Sequence, residues 1–161
     1  KVEKEFDILM KGKITEEEFW NQLINKTNIN LSIPELKKAV RENFEEIKGT
    51  REIIERLKKS GFKLGLLSNH SKEWIDHCNN RFDYHKLFDS ILYSFEIGIC
   101  KPNREIYLKI LQKLKKEPQN CLFIDDSIEN VISAKKLGIN TILFKTPEQL
   151  LKDLKKLGVE I

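Results

Sequence analysis

Through residue 47 the apolar positions recur at helical spacing, and no alternating or continuous apolar run suggests a strand. Thr15-Glu16-Glu17-Glu18 has the form of a capping box, and Phe19, Trp20, Leu23 and Ile24 then fall on one face of a predicted helix. Ser32-Ile33-Pro34-Glu35 opens another helix, with Leu36, Val40 and Phe44 as its apolar stripe. Turns are expected at Gly12 and around Asn28 to Asn30, so residues 1–47 read as a small helical unit of about three helices. From Lys48 helix and strand patterns alternate. A helix carrying Ile53, Ile54 and Leu57 stops at Gly61, and Phe62 to Leu67 reads as a strand ending at Ser68-Asn69. A helix from Ser71, a short strand from Ile91 to Tyr93, a loop to Lys101-Pro102 and a helix with Ile106, Leu108, Ile110 and Leu111 follow. Cys121 to Ile124 is then a short apolar run of the kind buried on both faces of a parallel sheet. After it come a helix stopped at Gly138, a strand from Thr141 to Phe144, and a last helix opened by Thr146-Pro147-Glu148-Gln149. Alternation of this length predicts an α/β fold, a doubly wound parallel sheet of Rossmann-like type over residues 48–161.

Composition changes this picture little. At 161 residues the chain is long enough for one domain with a real core and a small appendage. No apolar stretch approaches the ~20 residues of a membrane span, and Lys1-Val2-Glu3-Lys4-Glu5 is not the start of a signal peptide. Neither a membrane nor a secretory setting is expected. Cys78, Cys100 and Cys121 are odd in number and widely spaced, which points away from a disulfide framework or a zinc site and toward a reducing cytoplasm. The net charge of +4 comes from lysines scattered among acids on helix faces, so a nucleic-acid partner is not expected. The chain opens on Lys1 rather than Met, which suggests a longer parent.

Three strand ends deliver polar groups to one edge of the predicted sheet: Ser68-Asn69, Lys101 one loop beyond the Ile91 strand, and Asp125-Asp126. Open α/β sheets bind their ligands at this edge. Adjacent carboxylates repel one another and resist desolvation unless a cation compensates them, and a hard divalent ion such as Mg²⁺ suits oxygen ligands. A second reading stays open, a solvated turn in which Asp126 caps the next helix and Glu129 completes a capping box. Ser68 and the N–H groups after it suit phosphate oxygens at a helix N-terminus, and Lys101 suits the charge of a transferring phosphoryl group. His70, His77 and His85 share no metal-ligand spacing and read as surface or packing residues.

Leu66-Leu67-Ser68-Asn69, Lys101-Pro102-Asn103-Arg104-Glu105-Ile106-Tyr107 and Leu122-Phe123-Ile124-Asp125-Asp126-Ser127-Ile128-Glu129-Asn130 resemble the second, third and fourth motifs of the haloacid dehalogenase (HAD) superfamily. The subfamily it resembles most has a small helical cap inserted after the first strand, with residues 1–47 similar to the distal part of that cap. The resemblance implies that Ser68 and Asn69 bind the phosphoryl group and that Lys101 stabilises it. It implies Mg²⁺ on Asp126, with Asp125 assisting directly or through water and Asn130 orienting the acidic loop. The acidic pair favours a phosphatase of a small phosphorylated metabolite over a true dehalogenase, which needs no metal.

The family's first motif, an apolar strand ending in Asp-x-Asp whose first Asp attacks phosphorus, has no match. Phe6-Asp7-Ile8-Leu9 is the nearest candidate, and no strand precedes Asp7. The expectation is therefore a sheet without its central first strand, two exposed strand edges, and a segment inactive by itself whose nucleophile lies in a missing N-terminal part of its parent. The rival expectation is a non-catalytic phosphate- or metal-binding module of the same fold. Phe19 and Trp20 are expected either to contact substrate from the cap or to pack within it.

Overall fold

The computed structural model describes residues 2–27 and 29–161. Asn28, part of the expected turn, lies outside them. The chain begins with α1 (Glu3–Met10), α2 (Glu16–Lys26) and α3 (Ile33–Glu42). Then α4 (Thr50–Lys59), β1 (Gly65–Ser68), α5 (Lys72–Phe82), β2 (Ser90–Tyr93) and the one-turn α6 (Ser94–Ile97) alternate. The remainder is α7 (Arg104–Leu114), β3 (Leu122–Asp125), α8 (Ile128–Lys136), β4 (Asn140–Leu143) and α9 (Pro147–Lys156). The fold is α/β, rich in helix, with small parallel sheets.

The helix starts have local causes. Thr15 and Glu18 form the expected reciprocal box, the Glu18 N–H donating to the Thr15 hydroxyl at 3.2 Å and the Thr15 N–H to the Glu18 carboxylate at 2.7 Å. The Glu35 carboxylate accepts from the Ser32 N–H at 2.8 Å. Gly12 turns the chain between α1 and α2 with φ +64°, and a Cβ there would lie 2.7 Å from the Phe95 carbonyl oxygen. Only glycine lets this hairpin approach α6 so closely.

β1 pairs with β2 in parallel, Gly65 opposite Ser90 and Ser68 opposite Tyr93. β3 pairs with β4 in parallel, Leu122 opposite Asn140 and Asp125 opposite Leu143. Among the described residues these are two separate two-stranded sheets rather than one continuous sheet. β1 starts three residues later than its apolar run suggests. The Leu64 N–H donates to the Asp89 carboxylate at 2.7 Å and the Leu64 carbonyl accepts from the Asp89 N–H at 2.8 Å, so Leu64 is held chiefly by the residue just before β2 rather than by the ladder itself.

Helices cover both faces. Ile106, Tyr107, Ile110 and Leu111 of α7 and Ala134 of α8 form one apolar layer, against which Leu67 of β1 and Phe123 of β3 both pack. Ile53 of α4 with Leu150 and Leu154 of α9 form the opposite layer over Ile142, Leu122 and Ile124. The third cluster joins Leu9, Met10, Phe19, Trp20 and Leu36 of the N-terminal helices to Trp74 of α5. Phe19 and Trp20 are buried there, their rings 4.9 Å apart and edge to face, which is helix packing rather than a surface for substrate.

At the centre of that cluster Glu16 is 1% exposed. Its carboxylate accepts from Trp20 Nε1 at 3.1 Å, Trp74 Nε1 at 2.7 Å, Arg41 Nη1 at 2.9 Å and Arg41 Nη2 at 2.6 Å. One buried acid thus ties α2 and α3 to α5, and its four donors satisfy a charge that would otherwise be costly to bury.

Candidate functional site

The ends of β1 and β3 and the loop before α7 converge on one rim. Lys101 Nζ donates to the Asp125 carboxylate at 2.6 Å and to the Leu67 carbonyl at 3.0 Å. It therefore spans the two sheets, with the Phe123 ring 5.6 Å from the ammonium. Both partners of the ion pair are largely buried, their side chains 10% and 6% exposed.

Asp125 is also engaged on its other oxygen, which accepts from the Ser127 N–H at 2.9 Å and from Asn130 Nδ2 at 2.9 Å. Those bonds turn the chain sharply out of β3 and into α8. Asn130 is fixed in turn by Tyr107, whose hydroxyl donates to the Asn130 carbonyl at 3.0 Å. Burial, and then the nearby Asp125 charge, push the Tyr107 phenol up to about 12, so it stays a donor. Asp126, the next residue, is exposed and makes no side-chain hydrogen bond among the described residues. The capping reading of Asp126 does not hold: the N-cap of α8 is Ser127.

Ser68 ends β1 on the same rim, and α5 begins at Lys72 behind its N-cap Ser71, so the helix N-terminus faces the Ser68-Asn69 turn. The Asn69 side chain turns sideways. Its Nδ2 donates to the Lys101 carbonyl at 2.9 Å and its Oδ1 accepts from the Lys101 N–H at 2.8 Å. Lys101, Asp125, Asn130 and Asn69 thus form one connected network, with Ser68 and Asp126 at its open ends.

The donor set suits a hard cation in part. Asp126 offers a free carboxylate, and Asp125 is already held by an ammonium and two N–H donors. Among the described residues no three His, Cys, Asp or Glu side chains converge as a metal cage, so further oxygen ligands must come from a bound anion, water or another segment.

Acids outside this rim have other work. Asp7 lies in α1 and pairs with Lys11 at 2.7 Å, not at a strand end. Asp76, Asp83 and Asp153 pair with Lys72, Lys86 and Lys156. The histidines pack: His70 lies 5.7 Å from the Phe44 ring and edge-on to Trp74, and His85 Nε2 meets the Tyr93 hydroxyl at 2.7 Å. Burial lowers the His70 pKa to about 4. The sequence pattern did not reveal the Leu67 carbonyl that receives Lys101, nor Ser133, whose hydroxyl donates to the Pro102 carbonyl at 2.6 Å. Neither carries a local signal, since each partner lies more than 30 residues away.

Residues 3–144 match the family described as haloacid dehalogenase-like hydrolase. Flavin mononucleotide hydrolase 1 of Arabidopsis thaliana is 29% identical over 152 residues, covering 94% of this chain and 61% of that protein. Hexitol phosphatase B of Escherichia coli K12 is 25% identical over 129 residues, covering 80% of this chain and 58% of that protein. The chain thus spans less than two thirds of the length of these relatives. Among solved structures, a protein from Porphyromonas gingivalis described as a predicted HAD-like family hydrolase superposes with a TM-score of 0.79 at 27% identity, covering 98% of this chain and 80% of that one. A HAD family enzyme from Bacteroides thetaiotaomicron, solved with magnesium and inorganic phosphate, superposes with a TM-score of 0.74 at 27% identity, covering 86% and 73%.

Proposed function

We propose a reaction from one premise: the chain belongs to the haloacid dehalogenase-like hydrolase family. The reading is that its rim is the phosphoryl site of an Mg²⁺-dependent phosphatase acting on a small phosphomonoester in the cytoplasm. The observation that carries it is the Lys101 ammonium held between the Leu67 carbonyl and Asp125, with Asp126 free beside it. The magnesium and phosphate in the Bacteroides structure and the phosphate esters named for the plant and bacterial relatives support it. Free thiols at Cys78, Cys100 and Cys121 suit the cytoplasmic setting.

In this reading Ser68 and the N–H groups at the start of α5 bind the phosphoryl oxygens. Lys101, with two of its three ammonium donors engaged, directs the third at an equatorial oxygen and stabilises charge there. Asp126 would hold Mg²⁺, which when bound would neutralise phosphoryl charge. Asp125 keeps Lys101 and the acidic loop in place, and Asn130 holds Asp125. The helical unit of residues 1–47 belongs to a cap that covers the site and restricts water and substrate access.

The nucleophile is the remaining part. Among the described residues β1 pairs only with β2 and β3 only with β4, so each has an unpaired edge, and Lys101 bridges the ends of β1 and β3. A strand inserted between them would end on the Ser68–Lys101–Asp125 rim, and we assign the attacking carboxylate to such a strand, contributed by a segment outside these 161 residues. The attack forms an aspartyl-phosphate and expels the alcohol, and water then releases inorganic phosphate. Mixed with an aryl phosphate and Mg²⁺, the 161-residue protein alone should give neither burst nor turnover, and a burst of aryl alcohol would refute this assignment. A second reading, a binding module without turnover, is favoured by the helical placement of Asp7 and by Asp125, the acid that ends β3 on this rim, being already paired with Lys101. Failure of the chain completed by such a strand to hydrolyse phosphate esters would decide for it.

A further inference from the structure

The Asn69 side chain sits beside the proposed phosphoryl site, yet both ends of its amide face the Lys101 peptide rather than the open rim. The two bonds are reciprocal, 2.9 Å from Nδ2 to the Lys101 carbonyl and 2.8 Å from the Lys101 N–H to Oδ1. Such a pair fixes both the position and the rotation of a peptide group, because each bond limits the swing the other allows. It bridges 32 residues and joins the end of β1 to the loop before α7. The same loop is pinned on its far side by Ser133 through the Pro102 carbonyl. With its backbone held, the Lys101 side chain reaches back to Leu67, two residues before Asn69, and across to Asp125.

We propose that Asn69 is a positioning residue for Lys101: its amide holds the Lys101 peptide so that the ammonium stands at the phosphoryl site. This deepens the phosphatase reading and rests on it. Lysine has four rotatable bonds and no intrinsic aim, so an unclamped loop would let the ammonium drift. A misplacement of about 1 Å at a reacting centre costs on the order of 100-fold in rate. Asn69 therefore acts through Lys101, and its removal should cost nothing once the Lys101 ammonium is gone.

A double-mutant cycle on the sheet-completed chain reads this directly. Asn69→Ala should lower kcat/KM for an aryl phosphate by about tenfold to 100-fold. In a Lys101→Ala background the same change should cost less than about twofold, the two positions being fully coupled. A loss of equal size in both backgrounds would show that Asn69 contacts substrate independently, and would overturn the proposal. Asn69→Ser, which leaves a small polar side chain, repeats the cycle if the alanine variant does not fold. Backbone amide exchange is the readout without activity: the Lys101 N–H should exchange at least about tenfold faster in Asn69→Ala than in the wild type, as expected on loss of its hydrogen-bond partner. Unchanged exchange there would also overturn the proposal. Absence of hydrolysis by the sheet-completed chain without these substitutions would instead sink the phosphatase reading, and the clamp would then be judged by that exchange and by the same cycle on inorganic phosphate affinity.

Discussion

Replacing Glu16 by Gln is expected to loosen the N-terminal helices from α5 without touching the rim. The amide keeps an oxygen for Trp20 Nε1 and Trp74 Nε1, which now sit 3.1 and 2.7 Å from Oε1. It loses the charge that balances Arg41 and turns an N–H₂ toward Arg41 Nη2, now 2.6 Å from Oε2. Breaking a buried pair from one side costs about 3–5 kcal/mol. The Arg41 side chain is 25% exposed and also donates to the Lys37 carbonyl at 3.1 Å, so part of that cost is relieved by solvent and by this second acceptor. About 2–3 kcal/mol remains as the expected loss. At about 2–4 °C per kcal/mol for a chain of this size, Tm should fall by about 4–12 °C at pH 7.

The pH dependence gives an independent check. Burial pushes the Glu16 carboxyl up, but the hydrogen bonds from Arg41, Trp74 and Trp20 and the Arg41 charge outweigh it and hold it below the ordinary value of 4.5. A folded value below the unfolded one means that the stabilisation is present above pH 4.5 and is lost as pH falls through the folded value. The wild-type and Glu16→Gln melts should therefore differ most near neutrality and converge in acid. Both can be followed by the fluorescence of Trp20 and Trp74, the two indoles bonded to Glu16. A variant within 1 °C of the wild type at pH 7, or a gap that does not close in acid, would refute the reasoning.

The two adjacent acids should separate in the same kind of melt. Asp125→Asn leaves the Lys101 ammonium buried without its partner and should cost about 3 kcal/mol, whereas exposed Asp126→Asn should stay within about 0.5 kcal/mol while weakening Mg²⁺ affinity in calorimetry. Gly12→Ala should destabilise by about 1–3 kcal/mol, measured by urea unfolding, because φ is +64° and the new methyl meets the Phe95 carbonyl. His70, lowered by burial from 6.5 to about 4, favours its neutral form when folded, so its contribution is full above pH 6.5 and is lost as pH falls toward 4. Urea midpoints of a His70→Gln variant should accordingly vary less with pH than those of the wild type across that window.

Local chemistry made much of the fold legible. Thr15 and Glu18, Ser32 and Glu35, and Thr146 with Pro147 are helix starts whose signals lie within four residues of one another, and all three helices begin there. Short apolar runs before Ser68 and Asp125 placed the strand ends, since residues buried between two helix layers must be apolar whatever their partners. Pairing was not legible in this way. The start of β1 depends on Asp89, 25 residues after Leu64. The choice of Ser127 over Asp126 as N-cap depends on Asp125 having turned to take the Ser127 N–H. Three consecutive glutamates follow Thr15, and only the packing of Trp20, Trp74 and Arg41 decides that the first of them is the buried one. At the rim, residue types marked Ser68, Lys101 and Asp125–Asp126 as chemistry. The direction in which Asn69 turns is a property of the Lys101 loop rather than of its own neighbours.

Release of inorganic phosphate from an aryl phosphate by the sheet-completed chain, measured with Mg²⁺ and with EDTA, tests the central claim most directly. Hydrolysis that needs Mg²⁺ and falls at least about 100-fold in Asp126→Asn, while that variant keeps its melting temperature, is the predicted result. Hydrolysis indifferent to EDTA, or undiminished by Asp126→Asn, would contradict the assignment of this rim as a magnesium-assisted phosphoryl site.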